Sequence, residues 1–213
     1  MSLHARAIRE LSGWIAPSDA QAALRDHYLA HLAEHDDGWS RECPGAHLTA
    51  SALVVDEAGE RVLLTLHRKL RRWLQTGGHL EPGDESLAAG ALREAREESG
   101  LTALHLSPDP LVLSRHQVPC GVVRPTFHHD VQYLVVAPND AVPRVSAESV
   151  DVRWFAIDAL PDVDDSVREL VAAATTRWTG AASGQPDRDT VVVHGAQPVV
   201  PGRLPGSPQP GRQ

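Results

Sequence analysis

The sequence predicts an α+β sandwich. In the central part of the chain strand-like runs outnumber helical runs, and most of the strand-like runs are joined by short turns, which favours this class over a doubly wound sheet. The chain has 213 residues, which is enough for one good-sized domain with extensions or for two small domains. Its composition, 42% hydrophobic and 23% charged, is typical of a globular protein.

The first part of the chain, residues 1–44, is predicted to be a helical extension. Apolar side chains recur at near-helical intervals from Leu3 to Trp14, and Pro17 then interrupts the pattern. A second amphipathic stretch begins at Asp19 and ends near Gly38. Nothing in these two helices requires chemistry, so we expect them to pack against the main domain or against a partner subunit.

The remaining elements follow from hydrophobic periodicity and turn residues. Strands are predicted at residues 47–56, 60–68, 111–118, 130–137 and 150–157, and the first two form a hairpin. Helices are predicted at residues 87–99, with Ser86 as the N-cap, and at 166–178. From Gly180 onward Gly and Pro supply 12 of the last 34 residues, so residues 180–213 are predicted to be a flexible tail.

Charge and cysteine usage exclude several classes of protein. The formal charge of −8 argues against binding to a nucleic-acid polymer, and an anionic substrate would need a local basic patch or a metal. Cys43 and Cys120 show neither metal-ligand spacing nor a disulfide framework, and we interpret them as free thiols in a reducing compartment. Since no stretch resembles a signal peptide or a membrane span, we expect a cytoplasmic protein without membrane association.

The end of the predicted helix at 87–99 carries acids where a helix disfavours them. Glu94, Glu97 and Glu98 stand at i, i+3 and i+4, so their carboxylates share one helical face. Gly100 is a stop signal that places Glu97 and Glu98 at the helix C-terminus, where the macrodipole favours cations. Hard divalent ions such as Mg²⁺ select carboxylate oxygens, so the pattern indicates a metal site.

These residues belong to a longer motif that resembles the Nudix box, G-x5-E-x7-R-E-U-x-E-E-x-G-U, in which U is a bulky aliphatic residue. Glu85 is followed after seven residues by the stretch from Arg93 to Leu101. Two departures are present. Six residues instead of five separate Gly78 from Glu85, so the loop carries one extra residue, and the aliphatic position holds only Ala95. The resemblance extends to about residues 45–175 and implies an α/β/α sandwich with a mixed sheet, with a Nudix-like domain at 45–179.

The resemblance also implies an activity and roles for particular residues. The activity is that of a pyrophosphohydrolase, which cleaves a nucleoside diphosphate linked to another group and uses Mg²⁺ or Mn²⁺. Glu94, Glu97 and Glu98 would be the metal ligands, and Glu97 and Glu98 would also act in catalysis. Arg93, at i, i+4 from Glu97, would orient a carboxylate, and Glu85 would brace the loop or lie near the metal-bound water. Such proteins are often homodimers.

Substrate-binding candidates outside the acidic helix are less specific. They are Arg68, Gly78, His79, His128 and Glu148. Arg68 begins a cationic run that could bind phosphates or be a solvated loop. The glycines at 77 and 78 let the backbone approach a metal or phosphate closely. Glu148 stands where related enzymes often place a late acid that serves as a base or an additional ligand.

Two other functions are compatible with the same fold. A Nudix-fold sensor would bind a nucleotide derivative without hydrolysing it, but such proteins usually lack one or more acids of the box, and this chain keeps them all. An isopentenyl-diphosphate isomerase requires a cysteine and an acid on opposite sides of the substrate double bond, and neither cysteine has such a context. Hydrolysis is therefore the favoured prediction.

Overall fold

The computed structural model describes residues 1–120, 123–147 and 149–183. The helices are α1 (Leu3–Gly13), α2 (Asp19–Glu34), α3 (Leu87–Ser99) and α4 (Asp165–Ser183). The strands are β1 (Ala46–Asp56), β2 (Arg61–His67), β3 (Trp73–Leu74), β4 (Thr76–His79), β5 (His105–Leu106), β6 (Val112–Val118), β7 (Thr126–Ala137) and β8 (Ser149–Ala156). None of the helices within these ranges is long and apolar enough to span a membrane.

Strand β1 is the centre of a mixed sheet. Along one edge it pairs antiparallel with β2 and, nearer its N-terminus, with β4. Along the other edge it runs parallel to β7 over its whole length. Strands β5 and β6 extend the sheet beyond β7, and β3 and β8 pair with β2. Antiparallel and parallel neighbours on the same strand make the sheet mixed.

Each face of the sheet is covered by helices. Val54 on β1 faces a core that includes residues from α1, α2 and α3, whereas Val55, the next residue, faces a second core beneath α4. This alternation follows from the period of two in a strand. The predicted α/β/α sandwich with a mixed sheet is therefore confirmed.

The predicted elements agree closely with the structure where they are long and periodic. Helix α3 has the predicted bounds, Ser86 Oγ accepts the backbone N–H of Ala89 at 2.9 Å, and Gly100 ends the helix in the left-handed region with φ 69°. The hairpin is confirmed by the pairing of Val54 with Leu63. Strands β3, β4 and β5 are missing from the prediction because they have only two to four residues, and the glycines of β4 are more typical of a turn.

The N-terminal helices pack on the main domain. Leu11 of α1 and Tyr28 of α2 are fully buried in the same core as α3, and Trp14 donates its indole N–H to the carbonyl of Pro110 at 2.7 Å. Glu10 of α1 also accepts the backbone N–H of Leu87 at 2.9 Å, so the extension contacts the start of α3 directly. At the other end, residues 184–213 of the predicted tail lie outside the described residues.

Candidate active site

Strand β4 and helix α3 meet where the glycines oppose the acids. A Cβ atom added to Gly78 would lie 2.6 Å from Oε1 of Glu94, and one added to Gly77 would lie 2.3 Å from Oγ of Ser51 on β1. At Gly77 the added atom would also lie 2.7 Å from Cα of Ser51, so only glycine fits there, and at Gly78 it would displace the carboxylate of Glu94. The sheet thereby holds the β4 backbone directly against the carboxylate of Glu94.

Arg93 connects the acids of the site to one another. Its Nε and Nη2 donate to the two carboxylate oxygens of Asp84, each at 3.0 Å. Its Nη1 donates to Glu94 at 2.8 Å and to Glu97 at 3.2 Å, and its Nη2 also donates to the carbonyl of His79 at 2.9 Å. The hydrogen bonds to Asp84 raise the pKa of Arg93, and Glu94 adds to that effect against the opposing influence of burial. All the N–H donors of the guanidinium are therefore used to orient the acids and β4.

The three glutamates of α3 differ in their access to solvent. The side chain of Glu97 is 59% exposed and that of Glu94 is 13% exposed, while Glu98 as a residue is 6% exposed. Their spacing places the three carboxylates on one side of the helix, and the carboxylate of Glu94 lies beside the backbone of Gly78. A set of carboxylate oxygens with backbone at close range is the donor chemistry that hard divalent cations require. The residues present therefore fit a divalent metal.

Asp84, the residue before Glu85, is the acid of this loop that pairs with Arg93. Glu85 is exposed, and its backbone carbonyl accepts a hydrogen bond from Arg6. The side chain of Asp84 is 5% exposed, pairs with Arg93 through both oxygens and also accepts the backbone N–H of Glu81 at 2.8 Å. Asp84 also stands at the motif's five-residue interval after Gly78, so the extra residue lies between Asp84 and Arg93.

A cleft of about 490 Å³ opens next to these groups. Its walls include Gly78, Arg93, Glu94 and Glu97, together with the segment between α2 and β1. That segment contributes Trp39, Ser40, Arg41 and Glu42. These four residues were not predicted from the sequence. The tryptophan and the arginine are the only hint within this short connection, and nothing in its sequence shows that it packs near α3.

Arg68 lies away from this cleft. Its Nε donates to the carbonyl of Ala147 at 3.2 Å and its Nη2 to the carbonyl of Ser149 at 3.0 Å, so it fixes the chain that leads into β8. It is not among the residues that line the cleft. Glu148, the residue between these two carbonyls, lies outside the described residues.

The two predicted histidines come together at the N-terminal end of β1. The rings of His79 and His128 are 5.1 Å apart between centroids, and both are near His47. Burial and then the neighbouring His47 lower the pKa of His128 to about 3. Cys120 adjoins this group, and neither Cys120 nor Cys43 forms a disulfide.

The sandwich and the acid-bearing helix behind a glycine strand define a Nudix domain. The family model of the NUDIX domain matches residues 45–174, and the chain belongs to that family.

Curated relatives match over part of their length. The m7GpppN-mRNA hydrolase NUDT17 of Xenopus laevis is 38% identical over 96 residues, which is 42% of this chain and 32% of that protein. NUDT17 of Bos taurus is 35% identical over 105 residues, 45% of this chain and 34% of that protein. The chain thus spans about a third of the length of these relatives.

Solved structures share the fold. A C. elegans Ap4A hydrolase in a binary complex superimposes with a TM-score of 0.50 at 18% identity, over 62% of this chain and 98% of that chain. The NUDIX domain of Shewanella oneidensis NrtR complexed with ADP ribose superimposes with a TM-score of 0.51 at 18% identity, over 70% of this chain and 97% of that chain. At these identities the likeness concerns the fold alone.

Proposed function

We propose that this protein is a divalent-metal-dependent pyrophosphohydrolase, which cleaves a diphosphate linkage in a nucleoside diphosphate joined to another group. The observation that carries the proposal is the pair of Glu94 and Glu97, held by Arg93 in an open cleft with Glu94 against the backbone of Gly78. Glu98, one residue further along the same helix, is buried and completes the acidic set. Membership of the NUDIX domain family supports it independently.

The glutamates would hold the metal, with Glu97 and Glu98 closest to the chemistry. Mg²⁺ or Mn²⁺, when bound there, supplies neutralisation of phosphate charge and a more acidic water. Arg93 acts as a positioning residue, because its donors face Asp84, Glu94, Glu97 and a carbonyl. Phosphoryl transfer depends on such positioning and charge stabilisation more than on covalent catalysis.

The segment between α2 and β1 lines the cleft and supplies complementary groups for substrate. Arg41 is an exposed cation there and is suited to phosphate oxygens as a charge-assisted donor. Trp39, in the same segment, offers an aromatic surface on which a base can stack. Because the NUDT17 relatives are named as m7GpppN-mRNA hydrolases, a cap dinucleotide belongs among the candidate substrates.

The test is a panel of nucleotide sugars, dinucleoside polyphosphates and m7GpppN, incubated with Mg²⁺, Mn²⁺ or a chelator. Mass detection of both products shows which phosphorus is attacked. We expect hydrolysis that requires the metal. Mutation of a residue that merely hydrogen-bonds to a metal ligand typically reduces activity roughly 10–100-fold. Glu97→Gln and Glu98→Gln change the proposed ligands themselves and should reduce kcat by more than that.

The matched control is Glu57→Gln, an exposed glutamate in the turn after β1, which should keep full activity. No turnover of any substrate, with equal behaviour of wild type and Glu97→Gln toward metal, would refute hydrolysis. Tight calorimetric binding of an intact nucleotide without turnover would instead identify a sensor. A homodimer and a cytoplasmic location stay predictions, the first testable by light scattering.

A further inference from the structure

Four potential metal ligands, none of them a glutamate of α3, converge at the N-terminal end of β1, and one of the four, His79, also lines the cleft. They are His47 on β1, His79 on β4, His128 on β7 and Cys120, which follows β6. The ligand atoms of all four lie within 4.8 Å of one another. His47 is buried, and the other three are partly exposed, which leaves the group accessible from solvent.

The sheet brings these residues together from distant parts of the sequence. His47 pairs with His128 across the parallel β1–β7 ladder, and His79 pairs with Thr49 across the antiparallel β1–β4 ladder. Since residues two apart on a strand share a face, His47 and Thr49 point to the same side. The three imidazoles therefore project from adjacent strands onto one face of the sheet.

The spacing of the ligand atoms matches a tetrahedral centre. The Sγ atom of Cys120 lies 3.1 Å from Nε2 of His128 and 3.9 Å from Nε2 of both His47 and His79. Zinc bonds of about 2.3 Å to sulfur and about 2.0–2.1 Å to nitrogen, at tetrahedral angles, put sulfur and nitrogen roughly 3.6 Å apart. The observed distances lie on both sides of that value.

We propose that His47, His79, His128 and Cys120 form a binding site for a borderline-soft transition metal ion, with Zn²⁺ as its natural occupant. Three imidazoles and a thiolate are ligands of structural zinc and poor ligands for Mg²⁺, which prefers oxygen. The site is thus chemically distinct from the glutamates. Binding converts the thiol of Cys120 to a thiolate and releases its proton to solvent.

The position of His79 gives this site a structural role. His79 directly follows Gly78, and its carbonyl accepts the hydrogen bond from Arg93 at 2.9 Å. A metal held by His79, His47 and His128 would join β4 to β1 and β7 through side chains in addition to the backbone ladders. The site would thereby fix the strand that lies against Glu94.

The experiment uses the full chain, stripped of metal and titrated with Co²⁺ as a spectroscopic probe and with Zn²⁺. We expect about one zinc ion per chain by elemental analysis, retained in excess Mg²⁺. Co²⁺ should give the intense visible bands of a tetrahedral ion and a thiolate charge-transfer band. Cys120→Ser should lose the charge-transfer band, and His128→Gln should lower the zinc content.

Two controls separate this site from the others. Cys43→Ser removes the second thiol, which belongs to a different group with His35 and Asp37, and should keep the charge-transfer band. Glu97→Gln should keep full zinc content. The proposal is overturned if the stripped wild type takes up no stoichiometric zinc, or if Cys120→Ser retains the charge-transfer band while Cys43→Ser loses it. Zinc should also raise the melting temperature of wild type more than that of Cys120→Ser.

Discussion

Arg93 shows how much one side chain organises at the residue scale. It contacts Asp84 on the loop, Glu94 and Glu97 on its own helix, and a carbonyl on β4. The contact with Glu97 follows from the i, i+4 spacing and could be predicted from the sequence. The contact with Asp84 could not be predicted from the motif. Asp84 fits the motif's interval counted from Gly78, whereas its neighbour Glu85 fits the interval counted back from Arg93.

Asp84→Asn and Glu85→Gln should therefore behave differently. Asp84→Asn removes the charge from a pair whose aspartate side chain is 5% exposed, and should lower the free energy of unfolding by about 1.5–3 kcal/mol. It should also reduce kcat, because Glu94 and Glu97 lose a fixed Arg93. Glu85→Gln, at an exposed position, should change stability by less than about 0.5 kcal/mol. Urea unfolding and hydrolysis rates measure both, and equal effects would contradict the assignment to Asp84.

At the scale of elements, helix α3 is capped by another helix. Glu10 of α1 accepts the backbone N–H groups of Leu87 at 2.9 Å and Ala88 at 3.3 Å, and Ser86 accepts that of Ala89. These are three of the four N–H groups that a helix start leaves without partners. The serine cap could be read from the sequence, whereas the glutamate, 77 residues from Leu87, could not.

Glu10→Gln should destabilise the fold by about 0.5–2 kcal/mol, the usual cost of a lost cap. Burial raises the pKa of Glu10, although its hydrogen bonds to Leu87, Ala88 and Tyr133 oppose the shift. The folded state thus binds the proton more tightly than the unfolded state, and wild type loses stability as pH rises through the folded pKa. The advantage of wild type over Glu10→Gln should decline over the same range in denaturant titrations. Glu57→Gln is the control, and a pH-independent difference would contradict this account.

At the scale of the whole molecule, one sheet separates two cores, and the N-terminal extension completes one of them. Leu11 of α1 is fully buried in that core. Leu11→Ala should therefore cost about 2–5 kcal/mol. Ile15, four residues later, is 90% exposed, and Ile15→Ala should change stability by less than about 0.5 kcal/mol. Thermal and urea unfolding of both variants provide the measurement, and similar losses would show that the extension is not part of the core.

The sequence predicted the sandwich and its long elements because their periodicity is local. The parallel pairing of β1 with β7 escaped prediction, since it joins His47 to His128 across most of the domain and leaves no trace in either segment alone. The same pairing explains why the spacing of Cys120 suggested no metal site. Of its partners, His128 is eight residues away, whereas His47 and His79 are distant in the sequence and reach the same place only through the sheet.

The donors of Arg93 are all used on acceptors of the protein, so Arg93 offers none of them to a substrate phosphate. Asp84, Glu94, Glu97 and Glu98 carry a formal charge of −4, and Glu42 and Glu81 on the cleft wall add −2. Arg41 and Arg93 return +2, which leaves −4 at the site of a chain whose total is −8. A free polyphosphate meets repulsion at such a surface, and a metal-chelated one meets far less. We therefore expect the cation to bind before the nucleotide or together with it. When the cation is scarce, the association rate of the nucleotide should rise with ionic strength, because salt screens the repulsion.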